Sequence, residues 1–189
     1  AMTAPQDTPS FGRPVVAFSL ALNHAISGLD PLGYHIFNLW VHILNGCLVY
    51  ALLCLTLRKL PKSLAVVITL MWLLHPVQTE CIAYASQRTE LLFGTCLFLT
   101  LIAFVREKYI WAVIACAAGM ATKETMAAVP LLVLLYDRTF ISSTFKKTWQ
   151  DHRRAHLGIM STWLVVGYLV IAYPRVNSAG FHHGPATGI

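Results

Sequence analysis

The sequence predicts an all-α, polytopic membrane helical bundle, and three observations carry that expectation. Hydrophobic residues fill 57% of the 189 positions and charged ones only 12%, against roughly 25% charged in a soluble domain. Apolar runs free of charge recur at 34–57, 63–79, 91–105, 109–122, 125–136 and 157–174. A charge cluster bounds each run, which is how a membrane span ends. About six transmembrane helices plus one interfacial helix follow, and the mean hydropathy of +0.62 agrees.

Residues 1–12 are rich in Pro, Thr and Ser and read as a loop, with neither the basic nor the apolar region of a signal peptide. Arg13-Pro14 then opens a helix, proline being suited to the first helical turn, and Gly28 closes it. Val15, Phe18, Leu22, Ala25 and Ile26 lie on one face and Ser19, Asn23 and Ser27 on another. That pairing of stripes suits a helix lying in the outer interface, so 1–33 is read as an outer loop with an interfacial helix.

Asp30-Pro31-Leu32-Gly33 turns into the first crossing, which begins the transmembrane bundle assigned to 34–174. His35, Asn38, His42 and Asn45 recur there at helical spacing, within an arc of about 60°. Polar groups at bilayer depth face the bundle interior or a watery cavity. Two readings stand: hydrogen bonds that hold helices together, or contact with substrate.

The four middle runs are short and cross by tilting, by thinning the bilayer, or by letting Lys and Arg stems reach the interface. The loop between the second and third runs holds His75, Glu80, Arg88 and Glu90 and is the densest in chemistry. Thr122-Lys123-Glu124-Thr125 predicts a hairpin turn, because a Lys-Glu pair at mid-bilayer is costly. Pro130 sits early in the second arm, and after the last run 175–189 form an outer tail.

If the runs alternate in direction, one side collects Arg58, Lys59, Lys62, Arg106, Lys108, Arg138, Lys146, Lys147, Arg153 and Arg154. The other side holds Arg13, Arg88, Lys123 and Arg175 against Asp7, Asp30, Glu80, Glu90 and Glu124. The cation-rich side is cytoplasmic by the positive-inside rule. The pI of 9.2 therefore reports topology and anionic lipid, and nothing in the pattern suits nucleic acid. An outer N-terminus implies an earlier span, so the chain reads as a fragment.

Five cysteines show no CxxC spacing, and four of them lie in apolar runs, where Cys acts as a small hydrophobe. His35 and His42 are ~10 Å apart along a helix axis, and His182 and His183 stand in a Gly-rich tail. No metal site is expected.

The strings Gly12-Arg13-Pro14-Val15, Gly28 to Asn38, His75 to Glu80, Ser86 to Glu90, Ala121 to Thr125 and Pro130 to Asp137 resemble the membrane half of bacterial transmembrane and tetratricopeptide-repeat proteins. The resemblance runs from about residue 10 to 181. That group is similar to polyprenyl-phosphate-sugar-dependent O-mannosyltransferases of the glycosyltransferase-C superfold. The resemblance implies a partial fold of that type in a bacterial inner membrane, with outer loops facing the periplasm.

It also implies a chemistry: an acceptor hydroxyl, on a protein Ser or Thr, attacks the anomeric carbon of a sugar held on a polyprenyl phosphate, and the phosphate leaves with inversion. Such a step needs a carboxylate for the acceptor proton and cations for the leaving phosphate; in related enzymes a divalent metal can share the second task. Arg13, Arg88 and Lys123 are the expected substrate-binding cations, Arg gripping phosphate with a fork of donors and Lys as a point charge. The competing reading is that these cations snorkel to headgroups, the role given to Arg175. His35 and Asn38 complete the expected substrate-facing set. Glu90 and Glu80 are the candidate catalytic acids, or local partners of Arg88, while the superfold's principal acid lies upstream of this chain and Asp7 stands too near its start.

The isolated chain is accordingly expected not to transfer sugar. Two other classes fit the spans: a lipid-linked sugar transporter or flippase lining a cavity with the His35–Asn45 stripe, although no inverted repeat is visible, and a non-catalytic scaffold for a tetratricopeptide-repeat domain.

Overall fold

The computed structural model describes residues 12–84 and 87–172; Asp7, Arg175, His182, His183 and the tail 175–189 lie outside them. The described residues are helical, with no strand among them. Helices α1 (Pro14–Ser27), α2 (Pro31–Thr56), α3 (Lys62–Leu73), α4 (Thr79–Ala83) and α5 (Arg88–Val105) are followed by α6 (Tyr109–Met120), α7 (Val129–Asp137), α8 (Phe145–Met160) and α9 (Trp163–Ala172).

Four segments are long and apolar enough to cross a membrane: Pro31–Thr56, Arg88–Val105, Glu124–Ser142 and Phe145–Ala172. Pro14–Ser27, Lys62–Leu73 and Tyr109–Met120 are apolar but shorter. The expected run 63–79 stops as an α-helix at Leu73, before a 3-10 turn at Pro76–Gln78 and the short α4. Pro76, which lacks an N–H and restricts the residue before it, supplies the break. The expected hairpin at Thr122–Thr125 is present: a turn follows α6, a 3-10 segment Glu124–Ala128 leads out of it, and Pro130 stands in the first turn of α7.

The last expected run, 157–174, is two pieces in the described residues, α8 to Met160 and α9 from Trp163. Most of α8 lies outside the expected runs, because its charges lower the local hydropathy. Its buried Thr148, Ala155, His156 and Ile159 nevertheless recur at helical spacing, the signature of an amphipathic helix.

α1 turns its polar stripe inward. Ser19 and Asn23 are buried, while Phe18, Leu22 and Ile26 are exposed, so the apolar face of α1 points away from the bundle. Gly28, at φ +58°, turns the chain toward α2 in the left-handed region open to glycine. α5 and α6 form the central hairpin, and the apolar core lies beneath it, with Phe104, Ala112, Cys116, Met126, Val133 and Ile159 among its buried members. Small residues let α6 approach closely: a Cβ on Gly119 would lie 2.5 Å from Met126 Cε.

The cation-bearing turns gather at one end. Thr56 and Tyr136 share a hydrogen bond between their hydroxyls, and Phe104 packs against the rings of His152 and His156. The α2–α3, α5–α6 and α7–α8 connections therefore lie together, and Arg13, Arg88 and Lys123 lie at the opposite, mixed-charge end.

Candidate functional site

The mixed-charge end is assembled by three backbone elements. Arg13 is the N-cap of α1, Glu90 stands in the first turn of α5, and Lys123 and Glu124 follow α6. Val15 N–H donates to Ala121 C=O at 3.4 Å, tying the start of α1 to the α6 turn. Arg13 Nη2 lies 3.6 Å from Glu124 Oε2, and Lys123 Nζ donates to Glu90 Oε1. Both pairs are part-exposed, the Arg13 and Lys123 side chains at 21% and 24%. A cation held this way can exchange its carboxylate partner for a phosphate oxygen without crossing the protein interior.

Cys81 of α4 reports the same field. Burial pushes its thiol up, Glu90 and then Glu80 add to that, and Lys123 opposes it. Glu80 itself is exposed on α4, and His35 is exposed on the first turns of α2.

Arg88 departs from expectation. It is a fully buried side chain rather than a surface cation. Its Nε–H donates to Asn38 Oδ1 at 3.0 Å, Nη1 to Ser19 C=O at 3.1 Å, and Nη2 to Asn23 Oδ1 at 2.7 Å and Tyr34 C=O at 3.4 Å. The Phe37 ring lies 4.2 Å from the guanidinium carbon. Four of its five N–H groups are taken by the protein and the side chain is 0% exposed; Arg88 pins α1 and α2 to α5.

Asn38 is engaged by the same network. It is 0% exposed and donates through Nδ2 to Tyr84 C=O at 3.3 Å, so both ends of its amide are engaged by the protein. Farther along the stripe, His42 Nε2–H donates to Leu73 C=O at 3.0 Å. Asn45 donates to Leu91 C=O at 2.9 Å and accepts from Thr95 at 2.7 Å. Of the two readings of the stripe, interhelical bonding is what these three residues do.

A second polar cluster, at the basic end, was not anticipated. The fully buried Asp137 accepts from Ser142 Oγ at 2.7 Å through Oδ1, and from His152 Nδ1–H and His156 Nε2–H, each at 2.9 Å, through Oδ2. A π turn at Arg138–Ser142, the left-handed Ser143 and a kink in α8 at His152 all adjoin it. The i, i+4 spacing of His152 and His156 was the available signal, obscured by the basic residues around them. Among the described residues no group of three His, Cys, Asp or Glu is arranged to hold a metal ion.

Comparison with known proteins bears on the class of the chain as a whole. Protein O-mannosyl-transferase Tmtc1 of Drosophila melanogaster is 30% identical over 141 residues, covering 69% of this chain. Tmtc2 of the same organism is 30% identical over 149 residues, also 69% of the chain, and human TMTC3 is 27% identical over 119 residues, 60% of the chain. Its distant relatives are protein O-mannosyl-transferases. The chain spans 16%, 16% and 13% of the length of these three relatives. No family model and no solved structure matches it. With four membrane-length apolar helices, the chain is an integral membrane protein.

Proposed function

We propose that this chain is the donor-phosphate-holding part of a membrane glycosyltransferase, which moves a sugar from a polyprenyl-phosphate carrier to a protein Ser or Thr hydroxyl on the outer side of the membrane. The observation that supports this reading best is the pairing of Arg13 with Glu124 and of Lys123 with Glu90 at the end of the bundle away from the basic turns. Chain relatives that are O-mannosyl-transferases support the reaction class.

The roles follow from charge. Arg13 and Lys123 release their carboxylates and hold the carrier phosphate, stabilising the negative charge that grows as the bond from the anomeric carbon to phosphate oxygen breaks. The acceptor oxygen forms the new bond to that carbon, and its proton passes to a carboxylate; Glu90, freed from Lys123, is placed to take or orient it. Glu80 and His35, both exposed, are left for contacts with acceptor or sugar. Arg88 and Asn38 hold the helices that carry these groups. In this reading the short helices α3 and α6 join the four longer segments as crossings, so that Arg13 and Lys123 face the outer side.

Asn38, His42 and Asn45 bind neighbouring helices, which favours the transferase reading over a transporter that would line a passage with them. The test is donor-lipid use by the full-length protein in membranes. Arg13→Ala and Lys123→Ala should each lower kcat/KM for the lipid-linked sugar by about tenfold or more, while Arg175→Ala leaves it near the starting value. Equal losses in all three variants would refute the assignment.

A further inference from the structure

At the basic end, a groove of about 300 Å³ lies between the first turns of α6 and the middle of α8, lined by Tyr109, Ile110, Val113, Ile114, Arg154 and Ala155. Its walls are hydrocarbon and one phenol, with a single cation. The helices close below it at Gly158, where an added Cβ would lie 3.1 Å from Val113 Cγ2. Beside it, α8 kinks at His152, whose backbone stands at φ −121° and ψ 17° as its ring reaches Asp137. The groove is thus bounded by a tight crossing on one side and a fixed bend on the other.

α8 carries the charge that selects an occupant. Lys146, Lys147, Arg153 and Arg154 are all exposed, with Asp151 the one exposed acid of the helix. Lys108 and Glu107 are exposed at the head of α6. Phe145, Trp149 and Leu157 of α8 are 50%, 45% and 53% exposed. Basic residues alternating with exposed aromatic and aliphatic ones mark a helix at a headgroup boundary.

From this geometry we infer that the α6–α8 groove is a binding site for one anionic phospholipid, its acyl chain lying along Ile110, Val113 and Ile114 and its phosphate held by Arg154. A free phosphate would leave the apolar walls uncovered, and an apolar peptide would leave the guanidinium without an anion. A phospholipid answers both, and a net negative headgroup is favoured by the surrounding cations. The site is independent of the carrier-phosphate reading, since it lies at the other end of α6.

The experiment is native mass spectrometry of the full chain in mild detergent, titrated with phosphatidylglycerol or phosphatidylcholine. The protein should retain phosphatidylglycerol preferentially. Arg154→Gln should cut that retention about fivefold, Ile114→Trp should cut it by crowding the groove, and Lys147→Gln, an equal change of charge outside the groove, should leave it nearly intact. If Arg154→Gln fails to fold by circular dichroism, Arg154→Lys is the substitute, and it should weaken retention less than Ile114→Trp. Equal loss with Arg154→Gln and Lys147→Gln would show bulk attraction to the helix and overturn the site. So would retention unaffected by Ile114→Trp, indifference to headgroup charge, or a dimer that excludes lipid.

Discussion

Arg88 Nε–H donates to Asn38 Oδ1 at 3.0 Å, joining the first residue of α5 to the N-terminal third of α2 where both side chains are fully buried. No carboxylate among the described residues pairs with this cation, whose partners are two amide side chains and two carbonyls. Arg88→Ala would strand those acceptors. With each unsatisfied buried group costing ~1–3 kcal/mol, the bundle should lose on the order of 3 kcal/mol, read as a lower melting temperature in detergent. Arg88→Lys should not restore it, because an ammonium cannot reproduce the fork. A normal melting temperature with weakened donor use would instead return Arg88 to the substrate-binding set.

The Asp137 cluster sets a second expectation. Three donors converge on one buried carboxyl group, and the two imidazoles differ in burial: His156 is 1% exposed and His152 18%. His156→Ala should therefore destabilise more than His152→Ala, and Asp137→Ala more than either, by about 3 kcal/mol, since it orphans all three donors at once. Thermal unfolding of the three variants in one detergent checks the order. Equal effects would mean that the cluster is not organised about Asp137.

Close helix approach supplies a third. A Cβ on Gly46 would lie 2.6 Å from Leu73 Cδ1, so Gly46→Ala forces the end of α3 away from α2. The cost should be about 1–3 kcal/mol, and Leu73→Ala in the same chain should recover part of it. Non-additivity in the double-mutant cycle is the measurement, and strict additivity would exclude the contact.

Cys81 offers a chemical probe of the mixed-charge end. Burial, Glu90 and Glu80 raise its thiol and Lys123 lowers it, so at fixed pH Glu90→Gln should increase the thiolate fraction and Lys123→Ala decrease it. Maleimide labelling rates in a background with Cys81 as the sole cysteine should rise in the first variant and fall in the second. Rates that do not respond would place Cys81 outside that field.

Much of this architecture was legible in the residues, and the exceptions have physical causes. Apolar runs mark α2, α5 and the α6–α7 hairpin because hydropathy and the lipid boundary act on the same side chains. Hydropathy could not reveal α8, whose helix is defined by periodicity under a basic surface. Nor could it tell Arg88 from Arg13: each is a lone cation on the same side of the expected topology, and only the third dimension shows Ser19, Asn23, Asn38 and Tyr34 closing around one of them. The polar stripe of α2 announced an interior face, but its partners are mostly carbonyls of other helices, and carbonyls leave no trace in residue identity.

The Lys123–Glu90 pair separates structure from function most directly. It is part-exposed on both sides, 24% and 36%, so as an ion pair it contributes about 0–1 kcal/mol to stability. Exchanging the partners, Lys123→Glu with Glu90→Lys, keeps an ion pair between the same two positions but moves the positive charge to α5. If the pair only ties the α6 turn to α5, the double variant should melt and function like the parent, with each single charge reversal less stable than the pair. If Lys123 meets the carrier phosphate and Glu90 the acceptor proton, the double variant should melt like the parent yet lose donor use by about tenfold or more, since a carboxylate would then repel the phosphate from position 123. Parental turnover in a correctly folded double variant would remove both residues from the proposed reaction.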